Sequence, residues 1–264
     1  MKVAILLLIT ILESNAAAKG ATKSPRTFSQ AKKSVYKIFS NLEETTLYCG
    51  CKFKGKIFDP KGCGYTPKRA RTKKGNINPR SQRIEIEHIA AAHSFGQSFQ
   101  EWRSPQQFPK CKKKNGKYKS SRKCARTNPL FARMEADLYN LWPAIGEING
   151  DRSNYRFAEI QGEKRSYGRC DVEIENRKVE PRPEVRGLIA RAILYMDQKY
   201  PGRGVLQKKG GARDMLQAWN KQHPPTQTEK FWALKVQNIQ GDCQTFIHDC
   251  KKLMQQSNIH KVSN

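Results

Sequence analysis

The chain is short of acid. Its 264 residues hold 50 lysines and arginines against 23 aspartates and glutamates, a formal net charge of +27. That imbalance concerns partners rather than fold, and it points to anionic ones: nucleic acid, other polyphosphates or an anionic membrane surface. Histidine is scarcer still, with five in the chain. After the first 18 residues no apolar run is long enough to cross a bilayer, which argues against a membrane-spanning protein. No C-x-x-C spacing or paired histidine accompanies Cys49 and Cys51, which argues against a zinc site. There is no internal repeat and no readout helix of a sequence-specific DNA binder. A hydrophobic content of 37% still suffices for one core in a chain of this length.

What is present begins with a leader. "MKVAILLLITILESNAAA" has a basic start at Lys2, an apolar stretch from Val3 to Leu12 and a small-residue site at Ala16 to Ala18. This is the pattern of a signal peptide over residues 1–18, leaving a mature domain over 19–264 with a C-terminal tail from about 251. Export into an oxidising compartment turns eight cysteines into four expected disulfides. Counting alone leaves on the order of a hundred pairings open.

The positive charge is clustered. Eight lysines or arginines and no acid lie between Pro60 and Ile84, and eleven with no acid lie between Trp102 and Met134. The breakers in these tracts predict basic loops over 60–82 and 103–127. Lys68, Arg69, Arg71, Lys112, Lys113, Lys114, Arg122 and Arg126 are the candidate phosphate contacts, chosen by charge. Such contacts supply affinity without sequence information. Elsewhere Thr27 and Gln30 resemble a capping box before a helix, "TLYCGCKFKGKIF" is strand-like with a turn near Gly55, and Asn128-Pro129 starts a helix through "LFARMEADLYN". "LWPAIGEINGDRSN" reads as irregular, "CDVEIENRKVEP" alternates like a strand, and three helices follow. The fold class is α+β in a single mixed domain.

One stretch carries chemistry. In "RIEIEHIAAAH" the alternation of Ile84 and Ile86 with Glu85 and Glu87 runs into His88 and then His93. Cutting a phosphodiester requires a base to deprotonate water, for which a histidine is suited. It also requires positive charge on the phosphate oxygens and the leaving group, for which a divalent ion on oxygen ligands is suited. Glu87-His88 supplies a ligand and a base side by side. Neighbours on an ideal strand face opposite ways, so the pair can share a site only where the strand ends or twists. The plain alternative is an exposed glutamate beside a histidine satisfied in the core. His93 reads as structural or surface.

"IEIEHIAAAHSFGQ", "NPLFARMEADLYNLWPAIGEINGDRSNYRF", "SYGRC" and "RGLIARAILYM", in this order, resemble the bacterial endonuclease I family of exported non-specific nucleases, over roughly residues 28–250. The resemblance implies a ββα-metal (His-Me finger) core surrounded by helices, with one divalent ion, usually Mg²⁺, bound by Glu87 and Asn149. It implies that His88 is the general base, that Arg122 in "SRKC" steadies the scissile phosphate with Arg126 as competitor, and that Glu135 helps orient His88 or a metal-bound water. It also implies hydrolysis of DNA, and often RNA, to 5′-phosphate ends. Cys49–Cys170 and Cys51–Cys63 are the pairs it implies; Cys111–Cys124 and Cys243–Cys250 are expected from proximity. A monomer acting away from membranes is expected.

The sequence departs from the family in places. The proline usual after the histidine is replaced by Ile89-Ala90-Ala91-Ala92, which puts the loop shape in doubt. A cysteine usual near "FQEWRSP" is missing, and "KCKKKNGKYK" looks inserted. The alternative function is a catalytically inactive exported protein that only binds DNA or another polyanion. A cationic membrane-active protein would need an exposed amphipathic basic helix, and the basic tracts here are loop-like.

Overall fold

The centre of the molecule is an antiparallel strand pair whose members are far apart in sequence. The computed structural model describes residues 24–42, 45–162, 164–206 and 211–250. The segment read as a signal peptide and the tail from 251 lie outside the described residues. Helix α1 (Phe28–Phe39) opens the domain, capped by Thr27, whose hydroxyl accepts from the Gln30 amide at 3.3 Å. The Gln30 side chain reaches back to the Arg26 N–H. A minimal hairpin follows, β1 (Phe53–Lys54) and β2 (Ile57–Phe58), around Gly55. The strand-like reading of the whole 46–58 segment is corrected here. Residues 46–51 form a turn in which Thr46 N–H donates to Cys51 O and Gly50 N–H to Thr46 O.

Strand β3 (Ile84–His88) pairs with β4 (Leu141–Ile145) in the register Ile84 to Ile145 through His88 to Leu141. Between them run the short helices α2 (Ala92–Gly96), α3 (Gln100–Arg103), α4 (Ser121–Ala125) and α5 (Pro129–Glu135). Asn128 caps α5 with Pro129 in its first turn, but the helix stops at Glu135, short of the expected "LFARMEADLYN" span. Helix α6 (Gly146–Arg152) follows β4 directly. The segment read as irregular therefore holds the second strand and the helix of a ββα unit. Its pattern was masked by Pro143, which stands opposite Ile86. The ladder bonds Gly146 N–H to Arg83 O and Ile89 N–H to Asn140 O bracket the pair. Two-residue alternation from them leaves Pro143 at a non-hydrogen-bonded site, where its missing N–H costs the ladder nothing.

Strands β5 (Arg156–Phe157), β6 (Val172–Glu175) and β7 (Lys178–Pro181) form a third small sheet in the order β5-β7-β6, with β5 parallel to β7. "CDVEIENRKVEP", read as one strand, is thus a hairpin. Helices α7 (Pro183–Lys199), α8 (Ala212–Gln222) and α9 (Gln227–Gln240) complete the domain. The buried Arg191 on α7 donates to both carboxylate oxygens of Glu229 and to Asn220, tying these three helices together. Phe39, Trp142 and Trp232 stack edge to face and join α1, β4 and α9 in one core. The result is a single mixed α+β domain. Among the described residues no helix is long and apolar enough to cross a membrane.

The disulfides pair Cys49 with Cys170, Cys51 with Cys63, Cys111 with Cys124 and Cys243 with Cys250.

The β6–β7 turn is strained. Its two central residues, Asn176 and Arg177, have φ of 48° and 60°. Two-residue hairpins of this kind favour asparagine then glycine. A non-glycine residue in this region is disfavoured by about 1–2 kcal/mol, against roughly 0.5–1 kcal/mol for the extra chain entropy of glycine. Arg177→Gly is therefore expected to raise stability by about 0.5 kcal/mol. A lower urea midpoint for that variant would contradict this account of the turn.

Candidate active site

Every residue of β3 lines one cleft of about 1120 Å³, together with Phe28, Arg122, Asn149 and Arg152. The reason is topological. β3 pairs with β4 alone, and beyond the bond from Ile84 N–H to Lys56 O its second edge lets side chains from both faces reach around it into the cleft. Two of its outward carbonyls are taken by side chains: Tyr36 Oη–H donates to Ile84 O at 3.2 Å and Arg152 Nη1 to His88 O at 2.7 Å. Arg152 Nη2 also donates to Ile89 O at 2.6 Å. Glu87 and His88 are therefore brought to one cleft although they are neighbours on a strand.

The loop that follows lacks the family's proline and is held by other means. Asn140 is fully buried. Its side chain accepts from Ala90 N–H at 2.6 Å and donates to Ala90 O at 3.0 Å. That two-point bond, with the Arg152 bonds to the carbonyls before it, fixes Ile89 and Ala90 in place of a rigid ring.

His88 is only 7% exposed. Its Nε2 lies 2.8 Å from the backbone oxygen of Glu135. A carbonyl can only accept, so in the neutral ring Nε2 carries the proton and Nδ1 keeps the lone pair. Burial, with the positive charge of Arg122 adding to it, lowers the imidazole pKa to about 3, so the ring is neutral at physiological pH. Phe28 stacks on the ring at 4.4 Å between centroids. The same phenyl underlies the Arg122 guanidinium at 5.5 Å.

Glu135 acts at two levels. Its backbone orients His88, and its buried carboxylate holds both candidate arginines: Arg122 Nε on Oε1 at 2.6 Å, and Arg126 Nε on Oε2 at 2.6 Å. Burial pushes its pKa up, but the Arg126 bond and the Arg122 charge more than offset this and leave it lowered. The two arginines differ in placement. Arg122 lines the cleft and has its Nη2 buried without a partner, whereas Arg126 does not line it and spends both Nε and Nη2 on Glu135.

Glu87 is 4% exposed. Its Oε1 accepts from Tyr48 Oη–H at 2.7 Å and from Arg152 Nη1 at 2.9 Å; Oε2 takes neither bond. Burial raises its pKa, and Arg152 and Tyr48 pull it part of the way back. Tyr48 precedes Cys49, and the Cys49–Cys170 and Cys51–Cys63 bridges pin its segment. Asn149 lies on α6 and also lines the cleft. Its Nδ2 donates to Glu85 Oε2 at 3.3 Å, which turns Oδ1 away from that carboxylate as a free acceptor. Glu85 is held in turn by Arg80 and Arg83. Glycine makes this approach possible, because a Cβ on Gly146 would meet Arg80 O and Glu85 Cδ at 2.9 Å.

Among the described residues no group of three or more His, Cys, Asp and Glu side chains gathers to hold a metal. The donor set that does fit is smaller: a carboxylate with an oxygen clear of its side-chain partners and an oriented amide oxygen, lining one cleft. Two hard oxygen donors leave most positions to water and phosphate, as Mg²⁺ prefers.

Of the other basic candidates, Lys68, Arg69, Arg71, Lys112, Lys113 and Lys114 do not line the cleft. Arg69 is paired with Asp151, and Arg71 donates to Gly75 O. The cations that line it are Lys32 and Lys33 on α1, with Lys56, Arg80, Arg83, Arg122 and Arg152. Sequence reasoning left Glu85 as an alternating strand residue, and it assigned no site role to Phe28, Arg152 or Tyr48. The only available signal for Arg152 was its place in "GDRSNYRF". His93 sits on the cleft rim, bonded to Gln97 and edge-on to Trp102.

Comparisons with known proteins show the family. A family model described as Endonuclease I matches residues 27–251. The chain is 37% identical over 229 residues to an extracellular deoxyribonuclease of Aeromonas hydrophila, a match covering 84% of this chain and 88% of that protein. A periplasmic deoxyribonuclease of the same organism is also 37% identical over 229 residues, covering 84% and 85%. Endonuclease-1 of Buchnera aphidicola subsp. Acyrthosiphon pisum is 33% identical over 246 residues, covering 91% and 88%.

The Glu135 clamp has a pH signature. Because its folded pKa lies below the ordinary 4.5, its stabilisation is fully present above that value and is lost as pH falls through the folded pKa. Glu135→Gln is expected to cost about 2 kcal/mol at neutral pH, the value of charged hydrogen bonds to a buried acceptor. The deficit should vanish in acid, where the wild-type carboxyl is also neutral. Denaturant unfolding at pH 7 and pH 3 checks this; an equal deficit at both would sink the clamp.

Proposed function

The chain belongs to the endonuclease I family and is an endonuclease, and on that premise we propose an exported, divalent-metal-dependent nuclease that hydrolyses DNA, and RNA as well, without sequence preference. Residues 1–18 are its export signal, and it acts as a monomer away from membranes, since one chain supplies the whole site. The observation that carries the reading is the His88 ring. It is locked by Nε2 on a backbone carbonyl, with Nδ1 as acceptor, in the cleft that also holds Glu87, Asn149 and Arg122.

His88 Nδ1 takes the proton of the attacking water, and the Glu135 carbonyl keeps the ring from turning away as it does so. Arg122, held at Nε by Glu135 and stacked on Phe28, lines the cleft with a side chain 40% exposed and meets a non-bridging phosphate oxygen there. Glu87 and Asn149 would hold the divalent ion, Mg²⁺ by preference, which when bound would supply positive charge for the phosphate oxygens. Water oxygen joins phosphorus as the P–O3′ bond breaks. A solvent water supplies the proton to O3′ and His88 returns its own to solvent, so the products carry 5′-phosphate and 3′-hydroxyl ends. Phosphate contacts carry little information about base or sugar, which supports the lack of sequence preference and the inclusion of RNA.

Plasmid nicking in Mg²⁺, abolished by EDTA, is the expected activity. His88→Ala should lower kcat by roughly 10²–10⁴ while leaving DNA affinity nearly unchanged. Retention of DNA without nicking at any metal or salt concentration would favour the inactive polyanion binder instead. Mg²⁺ should also raise the melting temperature of the wild type by mass action. Glu87→Gln should abolish that shift, and a shift of the same size in both would remove Glu87 from the ion site.

A further inference from the structure

A second groove of about 650 Å³ opens off the catalytic cleft, and Ala91, His93, Arg152 and Asn154 line both. Its floor is apolar, built from Ile89, Ile193 of α7, and Met215 and Leu216 of α8. Its rim carries Arg156, Arg177 and Lys178, and among the described residues no aspartate or glutamate lines it. Arg177 and Lys178 are exposed, with no side-chain hydrogen bond or ion pair among the described residues. Arg177 also occupies the turn position where glycine is favoured, at φ 60°. An arginine held in a disfavoured conformation without packing partners is a candidate for function through its head group.

We infer that this groove is a nucleotide subsite, holding a base and an adjoining phosphate of the strand whose scissile phosphate lies in the catalytic cleft; the inference rests on the nuclease reading above. Shared lining makes the two spaces one track. The cationic, acid-free rim suits a phosphodiester backbone. The apolar floor suits the face of a base that has left its stack, because a paired and stacked base has both faces covered. The subsite therefore favours single-stranded or locally opened nucleic acid over intact duplex.

Binding can be read without turnover. Anisotropy of fluorescein-labelled single strands of about 4 and about 12 nucleotides, with the mature protein in EDTA, measures what the longer strand gains. Arg177→Gly should weaken the longer strand by about fivefold and flatten the slope of log K against log salt by about 0.7 for each phosphate left unneutralised. Its effect on the shorter strand should be smaller. The urea midpoint of the same variant is expected not to fall, which separates a binding defect from a folding defect. Met215→Glu, placing a carboxylate on the floor, should weaken base-bearing strands more than an abasic strand of equal length. Unchanged affinity and salt slope in both variants would overturn the subsite, as would an abasic strand binding the wild type as tightly as a base-bearing one. Displacement of the strand's longer part by an acidic peptide of equal charge would assign the groove to a peptide instead. Wild-type protein that binds as described but never nicks plasmid would refute the nuclease reading alone.

Discussion

The guanidinium of Arg152 is 3% exposed and sits between a buried carboxylate and two backbone carbonyls. Much of the catalytic cleft follows from the need to pair it. A buried ion pair adds little net stability, but removing one partner leaves an uncompensated charge, so neither Arg152 nor Glu87 can move independently. Because Arg152 also takes the carbonyls of His88 and Ile89, the same group fixes the chain where β3 ends. The carboxylate and the imidazole are thereby held to one geometry. Phe157 lies against the guanidinium at 4.7 Å and keeps this arrangement dry.

The scarce acids have consistent uses. Glu85 orients Asn149, Glu87 faces the cleft, and Glu135 clamps two arginines. Glu147 takes the Tyr65 hydroxyl and the amides of Lys68 and Arg69, which docks the first basic loop on α6. Buried carboxylates thus organise a site whose open surface is left positive. An arginine held by a buried glutamate keeps its charge and loses rotamer freedom, so it meets phosphate already oriented. The two disulfides beside Tyr48 serve the same end for Glu87, by fixing the segment from which the phenol donates.

Strain and cover are distributed in the same way. The free edge of β3 would be a pairing liability if left bare, and it is closed by the Lys56 carbonyl on Ile84 N–H and by the side chains of Tyr36 and Arg152. That choice leaves the cleft open along the whole strand. The arginine at the β6–β7 turn sits where glycine would relax the backbone, and it lines the groove that adjoins the cleft at Arg152.

By itself the sequence determined the class of the molecule. Net charge, leader and cysteine count require only composition and local order, and they pointed to an exported, disulfide-bonded protein with anionic partners. The α+β class and the late helices were legible because their periodicity is local. Glu87, His88 and Asn149 were legible through a family resemblance, since a Glu-His pair on a strand is common. The tertiary structure decided the rest. β4 was hidden because its partner lies on the far side of four short helices and Pro143 breaks its pattern. Arg152, Glu85 and Tyr48 were hidden because each acts on a residue distant in sequence. That Arg122 and not Arg126 lines the cleft depended on how each guanidinium meets Glu135: Arg122 bonds it through Nε alone, Arg126 through Nε and Nη2. Spacing cannot encode that difference, because both arginines lie on one turn and bond the same carboxylate; the packing of Phe28 beside Arg122 separates their placement.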